Sequence, residues 1–197
     1  ASTAHWRFAD PSGRQIVLEI IDEKCVFYEN TLGVLTNSPS FDWHLTNLNN
    51  YVNLKSGAVT ENTVGSLELH SFGGGSGMLG LPGDFTPPSR FVRAAFFQTT
   101  APKLADAEKT VIQAFHILNN FDLPIGVQTA EGITPPDMPS ATQFTTATDL
   151  RGRKIYIRTM FNSHIRVVEL NKINFARAKF RSELLDPDHR EPVEPLF

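Results

Sequence analysis

The sequence has one cysteine, Cys25, which excludes an internal disulfide framework. It has no apolar run near the roughly 20 residues that a membrane-spanning helix needs. An excess of positive charge is also lacking: the formal net charge is −3 and the pI is about 6.1, which gives no electrostatic footprint for nucleic acid or an anionic membrane. The composition, 41% hydrophobic and 20% charged over 197 residues, is that of a globular chain able to bury a sizeable core.

The chain begins at Ala1 instead of an initiator methionine, and a strand pattern starts within a few residues. We therefore expect that processing or truncation removed an earlier segment. A signal peptide is absent from the sequence, although a mature chain would have lost one.

Metal and nucleotide sites find little support. The histidines are scattered, none is paired with a carboxylate at i, i+4 spacing, and one cysteine cannot form a thiolate zinc site, so we expect no metal and no cofactor. The glycines at 75, 77 and 80 have dinucleotide-fingerprint spacing, but the prolines that follow prevent the helix which must begin there. Cys25 lies in an apolar strand and is predicted to be a buried core residue rather than a nucleophile.

Strand patterns flank a helical middle. The predicted strands are His5–Phe8 and Gln15–Ile21, joined by a turn at Asp10–Gly13, then Cys25–Tyr28, Leu32–Leu35, Val64–Phe72, Thr142–Asp149, Lys154–Met160 and Ile165–Leu170. The predicted helices are Ser40–Leu54, Ser89–Phe97 and Lys103–Asn119, with surface connections at Lys55–Thr63 and Asp122–Ser140 and a charged tail at Arg181–Phe197 that wraps the surface or frays. This order predicts an α+β fold with segregated layers, and the lack of repeats and linkers predicts a single domain, 1–197.

The helix at Ser40–Leu54 is preceded by a polar corner that contains Asn37. The Ser40 hydroxyl can cap the helix, and Asp42 lies in the first turn, where the helix dipole favours negative charge. The predicted buried face consists of Phe41, Leu45, Leu48 and Val52. For Asn37 two interpretations stay open: its amide is aimed as a hydrogen-bond donor, or it merely tolerates an awkward turn angle.

Arg90 and Arg93 open the second helix after a Pro-Pro pair. A solvated helix surface is one explanation for both arginines. However, a cation in the first helical turn opposes the dipole, at a cost of about a few tenths of a kcal/mol. An arginine in this place is easier to understand if it faces a carboxylate or thiolate from another part of the molecule.

Two long motifs resemble the choloylglycine hydrolase family, which includes bile salt hydrolases and penicillin V acylases. The first is GVLTNSPSFDWHLTNLNNYV, and the second is GLPGDFTPPSRFVR, Gly80–Arg93. They occur in the family's order and at its usual separation, with Asn37 and Arg90 53 residues apart. Weaker resemblance runs from DPSGRQIVLEII to ATDLRGRKIYIRT and so covers nearly the whole chain.

The resemblance implies an α+β N-terminal-nucleophile hydrolase fold: an αββα sandwich of antiparallel sheets, here incomplete at the N-terminal side. It implies cleavage of a linear, non-peptide amide by the thiol of a mature N-terminal cysteine, with the free α-amine as base. Asn37 matches the family's oxyanion-hole asparagine, and Arg90 matches the arginine that stabilises the nucleophile.

The family's nucleophile and several partners lie in an N-terminal portion that has no counterpart in this chain. We therefore expect an enzyme as the intact protein and no amidase activity from this chain alone. The expected partner is a small-molecule amide, a conjugated bile salt or penicillin V, with neither nucleic acid nor a membrane involved. Sheet edges and apolar surface left uncovered by missing strands predict self-association, hence a homo-oligomer.

The alternative is a truncated or degenerate homologue that serves assembly or ligand binding without catalysis. A slight resemblance of GMLGLPGDFTPPSRFVRA to Gram-negative members favours a periplasmic or secreted location.

Overall fold

A computed structural model describes residues 4–129, 132 and 141–197. The chain divides into two compact units, Ala1–Pro102 and Lys103–Phe197. The single-domain organisation expected from the sequence stays a prediction. Residues 130, 131 and 133–140 of the expected Asp122–Ser140 connection lie outside the described residues.

Helices and antiparallel strands make up both units. The strands are β1 (Ala4–Ala9), β2 (Gln15–Ile21), β3 (Lys24–Glu29), β4 (Asn62–Val64), β5 (Leu67–Leu69), β6 (Phe144–Asp149), β7 (Lys154–Thr159) and β8 (Asn162–Glu169). The α-helices are α1 (Phe41–Asn47), α2 (Pro87–Thr100) and α3 (Ala107–Leu118). The described sheets are β1-β2-β3, β4-β5 and β6-β7-β8. None of the helices in the described ranges is long and apolar enough to cross a membrane.

The β1–β2 hairpin forms where the sequence predicts it. The Asp10 carboxylate accepts hydrogen bonds from the Ser12 N–H at 2.8 Å and the Ser12 hydroxyl at 2.5 Å, and Gly13 takes a φ of +95°. These local bonds and the glycine angle reverse the chain. β3 then pairs with β2, as predicted.

The core of the first unit lies between this sheet and the two helices that follow. Its buried residues are Val17, Val34, Phe41, Phe91 and Ala95. The rings of Phe41 and Phe91 meet edge to face with centroids 6.0 Å apart, and Phe91 is fully buried. Burial of each such side chain stabilises the fold by about 1.5–3 kcal/mol, so this cluster fixes α1 and α2 against the sheet.

The strand predicted at Leu32–Leu35 is wrong, because this segment joins no sheet among the described residues. The buried Asn30 side chain takes the place of a strand partner: its Nδ2 donates to the Val34 carbonyl at 3.1 Å, and its Oδ1 accepts from the Gly33 N–H at 2.9 Å. An asparagine side chain that mimics backbone groups competes with a sheet ladder in this way.

The first helix is shorter than predicted. α1 ends at Asn47 and continues as a 3-10 turn over Leu48–Tyr51. Leu45 and Val52, predicted to be buried, are 37% and 88% exposed, whereas Phe41 and His44 are buried. The core-facing side of a helix this short is set by positions i and i+3.

The cap of α1 also differs from the prediction. Ser40 occupies the N-cap position, but its hydroxyl donates to the Asp42 carboxylate at 2.5 Å and accepts no backbone N–H. The acceptor for the Phe41 N–H is instead Glu19 of β2, whose carboxylate oxygens lie 3.0 and 3.1 Å away. Glu19 is 1% exposed, so the sheet itself caps the helix.

Cys25 is exposed, which contradicts its predicted place in the core. In β3 the inward positions are Val26 and Tyr28, and Cys25 falls on the opposite face because strand side chains alternate. The strand predicted at Val64–Phe72 is confirmed only in part: β5 lies within this range, but Val64 belongs to β4, and the chain turns between the two strands at Gly65, whose φ is +63°.

The second unit packs α3 against the β6-β7-β8 sheet through Val111, Phe115 and Tyr156. α3 starts later than the predicted Lys103, because the Asp106 carboxylate accepts the Lys109 N–H at 2.7 Å and caps the helix there. The predicted β6–β7 hairpin and the third strand, β8, are confirmed.

The C-terminal tail has no helix or strand in Arg181–Phe197, and it is anchored on the second sheet. The Asp186 carboxylate accepts from Arg166 at 2.8 and 2.9 Å and from the Thr159 hydroxyl at 2.5 Å. These hydrogen bonds, that from Arg166 first, lower the pKa of Asp186. Glu191 accepts from the Ser163 N–H and hydroxyl. The tail therefore wraps this unit, one of the two predicted outcomes.

Candidate active site

The corner at Thr36–Pro39 leads from the core residue Val34 to α1, as the sequence predicts. Its Ser38–Pro39 peptide bond is cis, and Asn37 is exposed. The Thr36 hydroxyl lies 3.3 Å from the carbonyl oxygen of Pro87, to which it donates. This bond ties the corner to the first residue of α2.

The start of α2 holds Arg90. Pro87 and Pro88 occupy the first helical positions, where a fixed φ and a missing N–H are both tolerated. The helix thus begins two residues before the predicted Ser89. Arg90 falls in the first turn, half-buried, and its N–H donates to the Thr86 carbonyl at 2.9 Å.

The loop before α2 is held by Asp84. Its carboxylate accepts the Ser89 hydroxyl at 2.6 Å and the Thr86 N–H at 2.8 Å. These hydrogen bonds, that from Ser89 first, lower the pKa of Asp84 to about 2. The anion therefore stays in place at the N-terminal end of the helix, where its charge is favoured.

Arg93 is a structural residue that the sequence pattern did not distinguish from Arg90. It is 6% exposed, and its Nη1 donates to the carbonyl oxygens of Pro82 at 2.7 Å and Asp84 at 2.6 Å. Arg93 thus stabilises the loop before α2 through hydrogen bonds to its carbonyl oxygens. Its burial on the core side of α2 separates its role from that of Arg90, and the spacing of the two arginines in the sequence does not show this difference.

The two residues predicted to share a site meet directly. Arg90 Nη2 donates to Asn37 Oδ1 at 2.6 Å, which joins residues 53 positions apart. A guanidinium has only donors, so the Asn37 atom facing it must be the oxygen. The Asn37 NH₂ group therefore points away from Arg90, and it makes no hydrogen bond to any residue that the structure describes.

The charge of Arg90 is not neutralised by a carboxylate within the described ranges. Burial, followed by the neighbouring Arg93 charge, lowers the pKa of Arg90. Its buried Nε has no hydrogen-bond partner among the described residues. Among the described residues, the side-chain hydrogen bond of this half-buried cation goes to a neutral amide, which leaves the cation suited to stabilise an anion beside it.

His44 belongs to this site although the sequence analysis did not place it there. It is 1% exposed, and its Nε2 lies 2.9 Å from the Asn37 carbonyl oxygen. The ring stacks on Phe91 with centroids 4.7 Å apart and planes 9° apart. The available signal was its spacing of three residues from Phe41, which puts both on one helix face.

Cys25 lies outside this arrangement. It pairs with Ile20 across the sheet, on the face opposite the one from which Val17 and Glu19 reach α1 and α2. Throughout the described residues, no group of three His, Cys, Asp or Glu side chains could hold a metal ion. Among the residues that the structure describes, the site thus combines an oriented amide, the buried imidazole of His44 and a guanidinium that has no carboxylate partner.

Comparison with known proteins places these residues in a family. Residues 1–193 match the choloylglycine hydrolase family of linear amide C–N hydrolases. The chain is 41% identical over 174 residues to the bile salt hydrolase/transferase of Clostridium perfringens, covering 88% of this chain and 51% of that protein. It is 32% identical to the penicillin V acylase of Pectobacterium atrosepticum, covering 89% of this chain and 43% of that protein.

A solved structure gives the same result for the fold. A crystal structure of a mutant conjugated bile acid hydrolase from Clostridium perfringens matches with a TM-score of 0.81 and 34% identity, covering 98% of this chain and 57% of that one. The predicted α+β, N-terminal-nucleophile hydrolase fold class is confirmed. The chain spans about half the length of the curated relatives it matches. It belongs to the choloylglycine hydrolase family of linear amide C–N hydrolases.

Proposed function

We propose that this chain carries the oxyanion-binding half of a cysteine-dependent hydrolase that cleaves small linear amides. The observation that supports the proposal is the 2.6 Å hydrogen bond from Arg90 to Asn37 Oδ1, which leaves the amide NH₂ and the cation free to act on a ligand. The thiol would come from a segment other than these residues, since Cys25 is on the far side of its sheet. The chain alone would then be inactive.

Asn37 would stabilise the oxyanion. When a thiolate attacks an amide carbonyl, the carbonyl oxygen becomes negative, and Asn37 Nδ2 would donate to it. Because Arg90 fixes Oδ1, the amide would not have to reorient during the reaction. Such a donor is worth about 10²–10³ in kcat, or roughly 2.7–4 kcal/mol.

Arg90 would hold the nucleophile in its ionised form. A neighbouring cation lowers the pKa of a thiol, and the thiolate is the reactive species. A guanidinium paired with a carboxylate would lose much of this effect, whereas Arg90 is bonded to a neutral amide. The acyl-enzyme formed after loss of the amine would then be hydrolysed by water.

The substrate class follows from the relatives, which are named for bile salts and for penicillin V. We propose a conjugated bile salt or penicillin V as substrate, a homo-oligomeric assembly, and a periplasmic or secreted location. Neither a cofactor nor a metal has a role in this proposal.

The experiment supplies the part of a relative that this chain does not match. The segment of the Clostridium perfringens relative that lies outside the match is added to this chain, in trans or as a fusion, to give what we call the supplemented enzyme. Hydrolysis of glycocholate and penicillin V is measured for the chain and for the supplemented enzyme. We expect activity only in the latter, reduced about 10²–10³-fold in kcat by Asn37→Ala.

Matched controls come from the same chain. Asn50→Ala and Arg177→Lys change exposed residues outside the site and should leave kcat unchanged. Activity of the chain alone would contradict the need for an external thiol. A correctly assembled but inactive supplemented enzyme would favour the alternative, a non-catalytic homologue that serves assembly or ligand binding.

A further inference from the structure

The carbonyl oxygen of Asn37 has a fixed partner on α1. His44 Nε2 lies 2.9 Å from that oxygen and 3.2 Å from the Thr36 hydroxyl oxygen. The imidazole is 1% exposed; it stacks on Phe91, and Trp43 meets it edge to face at 5.5 Å. A buried ring with two aromatic neighbours has little freedom to move away.

The bond assigns the tautomer of His44. A carbonyl oxygen only accepts, so Nε2 must carry the proton that it donates to Asn37. In the neutral ring this leaves Nδ1 without a hydrogen, and Nδ1 is buried with no hydrogen-bond partner in the described part of the chain. The arrangement therefore depends on one tautomer of one histidine.

Asn37 is thus held at two points from two different helices. Arg90 of α2 fixes the side-chain oxygen, and His44 of α1 fixes the main-chain oxygen. The amide nitrogen that remains is the group proposed to donate to the oxyanion. A donor in an oxyanion hole must keep its position within fractions of an ångström, which an exposed corner residue does not do unaided.

We propose that His44 is a positioning residue for the Asn37 amide. Through its Nε2–H it fixes the corner from which Asn37 projects, so that Arg90 and His44 together orient the donor. This inference rests on the proposed function for its catalytic consequence. The structural part of the inference, that His44 orders the Asn37 amide, does not depend on catalysis and applies to this chain alone.

The first test needs no activity. In the ¹⁵N-labelled 197-residue chain, NMR should show His44 with a protonated Nε2 and a bare Nδ1, and the Asn37 side-chain NH₂ as one ordered pair of signals. His44→Phe keeps a ring for Phe91 but removes the donor, so the Asn37 signals should move and broaden. His44→Gln restores a donor and should return them toward the wild-type positions.

The second test uses the supplemented enzyme. His44→Phe should lower kcat about tenfold to a hundredfold with KM changed less than about twofold, because only the alignment of the donor is lost. His44→Gln should recover most of kcat. His116→Phe changes an exposed histidine on α3 and is the matched control.

The outcomes separate the two proposals. The opposite tautomer in the wild-type chain, or Asn37 signals unchanged in a folded His44→Phe variant, would overturn the role of His44, and neither result depends on catalysis. Equal losses of kcat in the His44→Phe and His44→Gln variants would also contradict the role of His44. If His44→Phe does not fold, the tautomer measurement and the kinetics of His44→Gln still decide whether His44 positions the Asn37 amide. An inactive supplemented enzyme with ordered Asn37 signals would count against the proposed function only.

Discussion

At the residue scale, the proposed chemistry depends on the orientation of the Asn37 side-chain amide. Arg90 has no acceptor to offer, so Asn37 presents oxygen to it and nitrogen to the opposite side. The sequence predicted that these two residues share a site, because both lie within long family motifs. His44 and Arg93 were not predicted, because helical spacing can place His44 on the same face as Phe41 but does not reveal which groups either side chain contacts in space.

Asn37→Asp tests the orientation without changing the shape of the side chain. The new carboxylate should form an ion pair with Arg90, so the free energy of unfolding should not fall. The NH₂ donor is lost, however, so kcat of the supplemented enzyme should fall about 10²–10³-fold. Urea unfolding and kinetics measure the two effects. A large loss of stability with kcat preserved would contradict this assignment.

Asp84 predicts a pH dependence of stability. Its pKa is about 2 in the folded chain against an ordinary value of 3.8, so its ionised form stabilises the fold above about pH 4. That contribution should disappear as the pH falls from about 4 to about 2. The difference in free energy of unfolding between wild type and Asp84→Asn should shrink across this window.

Ser89→Ala provides the comparison for Asp84, because it removes the main hydrogen bond that lowers the pKa. Chemical denaturation at several pH values should show that the free energy of unfolding of this variant changes less with pH, and over a narrower pH range, than that of the wild type. If the difference in free energy of unfolding between wild type and Asp84→Asn stayed constant from pH 5 to pH 2, the hydrogen bonds assigned to Asp84 would be ruled out.

At the element scale, prediction succeeded where turn and helix-start residues set the structure, and it failed where one particular side chain, near or far in sequence, took the place of a backbone partner. Two prolines marked the start of α2 within two residues, and Asp10–Gly13 marked the first hairpin. The strand expected at Leu32–Leu35 was lost because the Asn30 side chain satisfies its backbone groups. The cap of α1 comes from Glu19, a residue 22 positions earlier that no local pattern connects to the helix.

Glu19 therefore offers a test of how the sheet fixes α1. Glu19→Gln keeps one oxygen for the Phe41 N–H, whereas Glu19→Leu leaves that N–H buried and unpaired. We expect the leucine variant to lose about 1–3 kcal/mol of unfolding free energy and the glutamine variant less. Urea denaturation compares them with Glu68→Gln, an exposed strand position where the change should stay within about 0.5 kcal/mol. Small and equal losses of unfolding free energy in the leucine and glutamine variants would contradict the assignment of Glu19 as the cap of α1.

At the scale of the whole molecule, an apolar face remains open on the β1-β2-β3 sheet. Trp6, Leu18 and Phe27 form one row across its three strands, and Trp6 and Phe27 are 43% and 63% exposed. They lie opposite the face that packs against α1 and α2. Composition could not locate this surface, because only the strand register assigns each aromatic residue to a face.

Such a face predicts self-association of the isolated chain. Sedimentation should show species larger than a monomer, and the double variant Trp6→Thr, Phe27→Thr should shift the distribution toward the monomer. Phe72→Thr removes a fully exposed aromatic residue outside the sheets and should have little effect. A wild-type chain that is monomeric at all accessible concentrations would disprove the expectation.

The anchored tail has a practical consequence for anyone producing this chain. Asp186 and Glu191 hold the tail to the strands beneath, whereas Leu196 and Phe197 are 87% or more exposed. A purification tag should therefore be fused after Phe197, where it adds to polypeptide that is already in solvent. Limited proteolysis should trim the last few residues first and stop short of Asp186, since cleavage before that point would strip Arg166 of its carboxylate partner.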